Sequence, residues 1–389
     1  MNLSERAKRI KPSATLTISA KAKAMKARGV PVLNFSAGEP DFDTPEEIKG
    51  AASKALEEGF TKYTPAGGIS ELKEAIIGKY EKELGMTYET SEVMVSNGGK
   101  HALHNLFQAL LNPGDEVIIP SPYWLSYPDM VKLSDGVPVV LATKKEEGFK
   151  LDLDRLRSAI TGKTKILIIN SPSNPTGAVY TERELEAIGR IVEESEFLVI
   201  SDDVYEKFVF DGRRFVNLLS VAPHLKGKVI IVNSVSKTYA MPGWRIGYAV
   251  GPEALISAAT KIQGQATSCP SSIAQKAVVF ALSSDQTVVA RFCESFQKRR
   301  DFMLEGLQGV RGFDPFKPAG AFYLFVYVGS LYGRIEGVSG SVDLCEYLLD
   351  EFHIACVPGS VFGEDRYIRF SFATDEASIK EAIDRLKVF

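Results

Sequence analysis

Histidine and cysteine are scarce in this chain of 389 residues, with four of each. Cys269, Cys293, Cys345 and Cys356 form no Cys-x-x-Cys pair, which excludes a zinc ribbon and a dense disulfide framework and leaves structural thiols. His101 and His104 stand three apart, but no carboxylate or cysteine follows at ligand spacing, so no metal is expected. Two phosphate-binding signatures are also missing: no Gly-x-Gly-x-x-Gly follows the first strand pattern, and no Gly-x4-Gly-Lys-Ser/Thr loop occurs. A nicotinamide dehydrogenase and a P-loop nucleotidase are thereby disfavoured. Charge of one sign is not in excess, since 46 Lys and Arg face 49 Asp and Glu for a net −3. That balance supplies no basic field for nucleic acid, and Lys298-Arg299-Arg300 is expected on a solvated helix face. No uncharged apolar run reaches the roughly 18–20 residues of a membrane helix, and no apolar leader opens the chain. The expectation is a cytoplasmic protein without a membrane partner.

What is present is an ordinary globular composition, 45% apolar, long enough for a large domain and a smaller one. Short β-rich apolar runs at 93–96, 116–119, 137–141, 165–170, 197–201, 229–232 and 246–250 alternate with helical spacing at 100–111, 153–160 and 182–193. Parallel strands require such crossover helices, so the pattern predicts a mostly parallel seven-stranded α/β sheet with both faces covered. Beyond residue 285 a long charged helix at 288–307, apolar residues at 316–328, a helix near 342–351 and a strand at 367–372 predict a smaller α+β unit. The boundaries read as 1–44 for an N-terminal arm and part of the small domain, 45–285 for the large domain, and 286–389 for the rest of the small one.

Four stretches carry chemistry. Ser234-Val235-Ser236-Lys237 begins where a buried strand ends, with Arg245 eight residues on; a half-buried amine beside a phosphate-binding guanidinium suits covalent catalysis on a carbonyl. Gly98-Gly99-Lys100 lies between a strand and a helix, where free amides and the helix dipole favour an anion. Asn174-Pro175-Thr176-Gly177 is a rigid turn after a strand, and Asp202 with Tyr205 puts an acid and a phenol past another strand end. Taken singly, each is equally a plain turn, a helix cap or a surface charge.

Together, in this order and at these separations, they resemble the class I pyridoxal-phosphate aminotransferases. The resemblance runs from Pro12 to the C-terminus. It is nearest the bacterial aspartate aminotransferases with Gly-Gly-Lys at the phosphate loop, because Pro12-Ser13-Ala14-Thr15, Ala37-Gly38-Glu39-Pro40-Asp41-Phe42 and Ser121-Pro122-Tyr123-Trp124 are also in place. It implies a fold type I enzyme with pyridoxal 5'-phosphate as cofactor. Lys237 would hold the cofactor covalently and move the substrate proton, Asp202 would face the ring nitrogen, and Tyr205 with Asn174 the ring oxygen. Ser234, Arg245 and the backbone at Gly98, Gly99 and Lys100 would take the phosphate, with Tyr63 reaching in from a second subunit. Trp124 would stack on the ring. Arg369, with Asn174 and the Gly38 backbone, would clamp the substrate α-carboxylate, and Lys100 with Ser13 and Thr15 would receive the distal one. Asp203, where many relatives have glutamate, is expected not to touch the cofactor.

The implied reaction moves the amino group of L-aspartate to 2-oxoglutarate by a ping-pong cycle in a homodimer with shared active sites. Other substrates (prephenate or glutamate, aromatic amino acids, alanine) and a β-lyase or decarboxylase on the same fold remain alternatives, since Lys237, Asp202 and Arg245 serve all of them. A transcriptional regulator built on this fold would need a DNA-binding extension. About a dozen residues precede the Pro12 block, too few for a helix-turn-helix domain, so none is expected. The glycine-rich stretch 329–341 matches no pattern and reads as a loop.

Overall fold

Strands of consecutive Val, Ile and Leu are stable only when covered on both faces, and the chain builds that cover by alternating strand and helix. The computed structural model describes residues 3–10 and 14–388, the side chains of Arg6 and of residues 14–16 excepted. Its main sheet has seven strands, in spatial order Val93–Ser96, Gly247–Val250, Val229–Ser234, Leu198–Asp202, Thr164–Asn170, Glu116–Ser121 and Val137–Ala142. Gly247–Val250 runs antiparallel to both neighbours, whereas the strands from Val229–Ser234 to Val137–Ala142 are mutually parallel. Successive side chains of a strand point to opposite faces. Accordingly Leu167 and Ile169 enter one core cluster while Ile166 and Ile168 enter the other.

The crossover helices follow the predicted apolar spacing. Glu182–Glu193, for instance, starts at a capping box of Thr181 and Glu184 and buries Leu185, Ile188, Ile191 and Val192. A second, antiparallel sheet orders Val357–Pro358, Tyr367–Ser371, Tyr323–Tyr327 and Asp314–Phe316. Its core also takes in Ile18, Ala22 and Met25 of the helix Ala14–Ala27, and the strand Leu33–Asn34 pairs in parallel with Ile354–Ala355. N-terminal and C-terminal segments are thus woven together.

The expectation of a solvated face at Lys298-Arg299-Arg300 is corrected. Lys298 is exposed, but Arg299 and Arg300 of the helix Thr287–Gln308 are buried, Arg300 completely. Arg299 pairs with Asp41 at 2.7 Å; Arg300 grips Asp211 at 2.5 Å and Asp301 at 2.7 Å, and donates to the Pro318 carbonyl. A guanidinium fork can satisfy several acceptors at once, and this makes its burial tolerable. Among the described residues no helix is long and apolar enough to cross a membrane.

Registers bring the chemically distinctive residues to one edge. Asn170 sits beside Asp202, Asp202 beside Val232, and Ser234 beside Gly247, which in turn lies beside Ser96. These are the carboxyl ends of the parallel strands, where α/β sheets place their ligands. The four-stranded sheet adds Arg369 from Tyr367–Ser371 to the same place.

Candidate active site

A cavity of about 310 Å³ opens at that edge, lined by Gly38, Gly99, Lys100, Trp124, Asn174, Asp202, Tyr205, Ser234, Lys237, Arg245 and Arg369 among others. Nearly every candidate site residue is therefore gathered around one space. Tyr63 is not: it is 92% exposed and lies outside the cavity of its own chain. Ser13 falls outside the described residues, as does the side chain of Thr15.

Lys237 sits in a short helix, Val235–Thr238, started by Ser234, whose Oγ accepts the Ser236 amide. Its Nζ donates to the Gly38 carbonyl, and no carboxylate pairs with it among the described residues. Burial drives its pKa down to about 8; Glu39 opposes the shift, and the charges of Arg369, Arg245 and Lys100 assist it. An amine so tuned is neutral more often than an ordinary lysine and is a better nucleophile.

Asp202 ends its strand buried, with Tyr127 donating to Oδ2 at 2.5 Å and the Val204 amide to Oδ1 at 3.4 Å. Burial raises its pKa to about 6, against the pull of those donors and of the Lys237 charge. Among the described residues no cation is in direct contact with the side chain, so a protonated ring nitrogen would complete it. Asp203 turns away from the cavity, to Ser201 at 2.7 Å and Asn217 at 2.6 Å.

At the other end of the cavity is an anion cradle. Gly98 has φ +91°, and any Cβ there would overlap the Arg245 guanidinium. Only glycine fits both demands. The helix Gly99–Leu110 starts here; the Gly98 carbonyl takes the His101 and Ala102 amides, which leaves those of Gly99 and Lys100 without an intrahelical acceptor. Arg245 donates to the Pro242 carbonyl at 2.7 Å and the Asn97 carbonyl at 3.3 Å, which aims its fork alongside those amides. A phosphate suits this donor set.

Arg369 is 3% exposed. It donates from Nη1 to Asn174 Oδ1 at 2.9 Å and from Nη2 to the Ser36 carbonyl at 3.0 Å, while buried Nε has no hydrogen-bond partner among the described residues. No salt bridge to a carboxylate engages it within that set, and burial lowers its pKa. A guanidinium buried without a counter-ion leaves an anion site half built. Lys100 lies at the mouth, its Nζ 4.9 Å from the centre of the Trp124 ring, and its pKa is lowered by burial and then by Arg245. His101 accepts the Asn97 amide on Nδ1 at 3.3 Å.

Some site residues escape the sequence reading. Tyr127 follows Trp124 by three places and packs edge-on against it with centroids 5.2 Å apart, yet its role depends on Asp202, 75 residues away. Asn170 ties the site together, donating to the Asp202 carbonyl at 3.0 Å and accepting the Asn174 amide at 2.9 Å. Ser36 and Tyr323 likewise meet Arg369 only in the fold.

The residues present therefore fit pyridoxal phosphate: a glycine-shaped phosphate cradle at one end, a buried acid on the floor and an amine between. Comparison with known proteins gives the family. The family model for aminotransferase class I and II matches residues 30–386. An aspartate/prephenate aminotransferase of Nitrosomonas europaea is 45% identical, with 99% of each chain covered. A crystal structure of the aspartate aminotransferase from Rhizobium meliloti superposes with a TM-score of 0.96 at 45% identity, over 100% of this chain and 98% of the other. The aspartate aminotransferase from Thermus thermophilus with maleate gives 0.94 at 43%, over 100% and 99%. On that full-length likeness, carried by a seven-stranded sheet with lysine, aspartate and two arginines around one cavity, the chain belongs to the class I and II aminotransferase family.

Proposed function

We propose that the protein is a pyridoxal-phosphate-dependent aminotransferase that moves the amino group of L-aspartate to 2-oxoglutarate, giving oxaloacetate and glutamate. The observation that carries this reading is Arg369, a buried guanidinium without a carboxylate partner among the described residues, in the same cavity as the low-pKa amine of Lys237. One binds the α-carboxylate of an amino acid; the other handles its Cα proton.

The bound cofactor supplies a conjugated, protonated pyridine ring that takes up the electron pair left on Cα. The protein's residues do the rest. Arg245, Ser234 and the first-turn amides at Gly99 and Lys100 hold the phosphate, and Gly98 leaves room for the guanidinium. Asp202 would accept the ring N–H and keep that proton in place, with Tyr127 orienting the carboxylate. Tyr205 and Asn174 would donate to the ring oxygen, and Trp124 would cover the ring. Lys237 would hold the cofactor, and its amine, once free, would take the proton from the substrate Cα and return it. Arg369 and Asn174 fix the α-carboxylate near the Ser36 and Gly38 backbone; Lys100, with Ser13 and Thr15, receives the distal one.

Four cationic side chains against one carboxylate line the cavity, and that balance favours a dicarboxylate carried beside a phosphate. Prephenate also presents two carboxylates, and the Nitrosomonas relative is named for both substrates, so it is the second substrate proposed. Residues 45–285 would hold the cofactor, with 1–44 and 286–389 forming the smaller unit. The four thiols, all free of disulfides, suit a reducing cytoplasm.

Addition of pyridoxal phosphate should give a visible absorption band that shifts with aspartate, and aspartate with 2-oxoglutarate should give oxaloacetate and glutamate. Release of ammonia or pyruvate instead would replace the transferase by a lyase. A protein that remains colourless would end the reading.

A further inference from the structure

Tyr323 is fully buried at the start of the strand Tyr323–Tyr327, diagonal across the sheet from Arg369, which pairs in register with Phe325. Its phenol oxygen is 2.8 Å from that of Tyr205. Its ring lies under the Arg369 guanidinium, 4.3 Å from carbon to centroid. The same oxygen sits 3.3 Å from the point where a Cβ on Gly38 would be, against the residue whose carbonyl receives Lys237. A single side chain thus touches the phenol at the cofactor end, the clamp at the substrate end and the backbone that restrains the lysine.

We propose that Tyr323 is a positioning residue that couples the two ends of the site: its hydroxyl aims Tyr205 at the cofactor's ring oxygen, and its ring face holds the Arg369 guanidinium flat for the substrate carboxylate. The inference rests on reading the cavity as a pyridoxal-phosphate site. A phenol has a single proton. When Tyr205 sends its own into the cavity, the proton shared between the two oxygens comes from Tyr323. A donor that is itself hydrogen-bonded in this way donates more strongly, by about a tenth to a third in condensed phase. Arg369 has no carboxylate to align it among the described residues, so the rings of Tyr323 and of Phe362, 5.0 Å away, join its bonds to Asn174 and the Ser36 carbonyl in orienting its plane.

The hydroxyl and the ring are separable. Y323F keeps the ring and removes the hydroxyl. With Tyr205 a weaker donor, the pH midpoint of the cofactor's visible band should rise by about 0.5. The dissociation constant of succinate, a dicarboxylate that cannot react, should stay within about twofold of wild type, because the cation–ring contact is intact. Y323L removes both groups and should weaken succinate binding by roughly three- to tenfold. Thermal melts check that each variant folds, and Y323F alone carries the test should Y323L fail to do so. An unshifted midpoint in Y323F, or succinate affinity lost as much in Y323F as in Y323L, assigns Tyr323 to the core and overturns the proposal. A wild-type protein that takes up no pyridoxal phosphate overturns the functional reading and this coupling together; a normal wild-type band with an unshifted Y323F removes only the coupling.

Discussion

Asp202 illustrates how a residue useful to the loaded enzyme is a cost to the empty protein. Its carboxyl is buried with a phenol and one long amide contact as partners, and its pKa stands near 6 instead of the 3.8 of a free side chain. A raised acid pKa means that between those values the folded chain keeps a proton that the unfolded chain has released. Stability from this group is therefore present below about pH 4 and is lost as pH rises through 6. Replacing the acid by asparagine removes the titration while leaving an oxygen for Tyr127. The apoprotein of Asp202→Asn should gain on wild type by about 2–3 kcal/mol between pH 4 and pH 7. Parallel urea titrations of the two apoproteins measure the difference, and a gap independent of pH would contradict the burial argument. With cofactor bound the order should invert in activity: the variant loses the partner of the ring nitrogen, and turnover should fall by about 10²-fold or more.

The elements that hold such residues depend on a few backbone positions, and Gly98 can be set against Gly85. Both have positive φ, +91° and +64°. Gly85 closes the helix Ser70–Leu84 with open space around it, so Gly85→Ala should cost only about 1 kcal/mol of stability. Gly98 also faces the Arg245 guanidinium, so Gly98→Ala should displace that side chain and weaken pyridoxal-phosphate affinity by about tenfold or more. Equilibrium titration of both apoproteins with the cofactor separates the two roles; equal affinities would mean that the cradle does not need the glycine. The same contrast bears on what is legible in a sequence. The inner strands of the large sheet are continuous apolar runs, a pattern that burial on both faces imposes, whereas Val137 and Val140 of the edge strand Val137–Ala142 stay exposed; the strand ends carry residues whose order marks the family. The helices Glu253–Ala266 and Ser272–Ser283 stand out less, because small and apolar residues fill much of their circumference and blur the period. Arg299 and Arg300 look like a surface cluster because their acceptors, Asp41 and Asp211, are far away along the chain. Tyr127, Asn170 and Tyr323 are invisible for the same reason: each acts through a partner that only the sheet registers bring within reach.

At the scale of the whole molecule, Tyr63 is the residue that the single chain does not account for. It is 92% exposed, on a loop outside the cavity, and a tyrosine so exposed on a loop between two helices gains nothing from its ring in water. A cradle built from Arg245, Ser234 and first-turn amides is open on the side of Asn97 and Pro242, where a groove continues past Trp244 to Ser271 and Ile273. A second copy laid over that side could place its Tyr63 hydroxyl on the phosphate, as the homodimer implied by the sequence resemblance requires. The expected particle mass is then about twice the chain mass of 42.6 kDa. Tyr63→Phe, which removes only the hydroxyl, should leave that mass unchanged and weaken pyridoxal-phosphate binding by about three- to tenfold, the loss of one hydrogen bond to a charged group. Light scattering and cofactor titration read the two quantities separately. A dimer whose Tyr63→Phe form binds the cofactor at full strength would remove Tyr63 from the site. A monomer that still binds at full strength would remove the shared site altogether, because Tyr63 stands exposed and outside the lining of its own cavity.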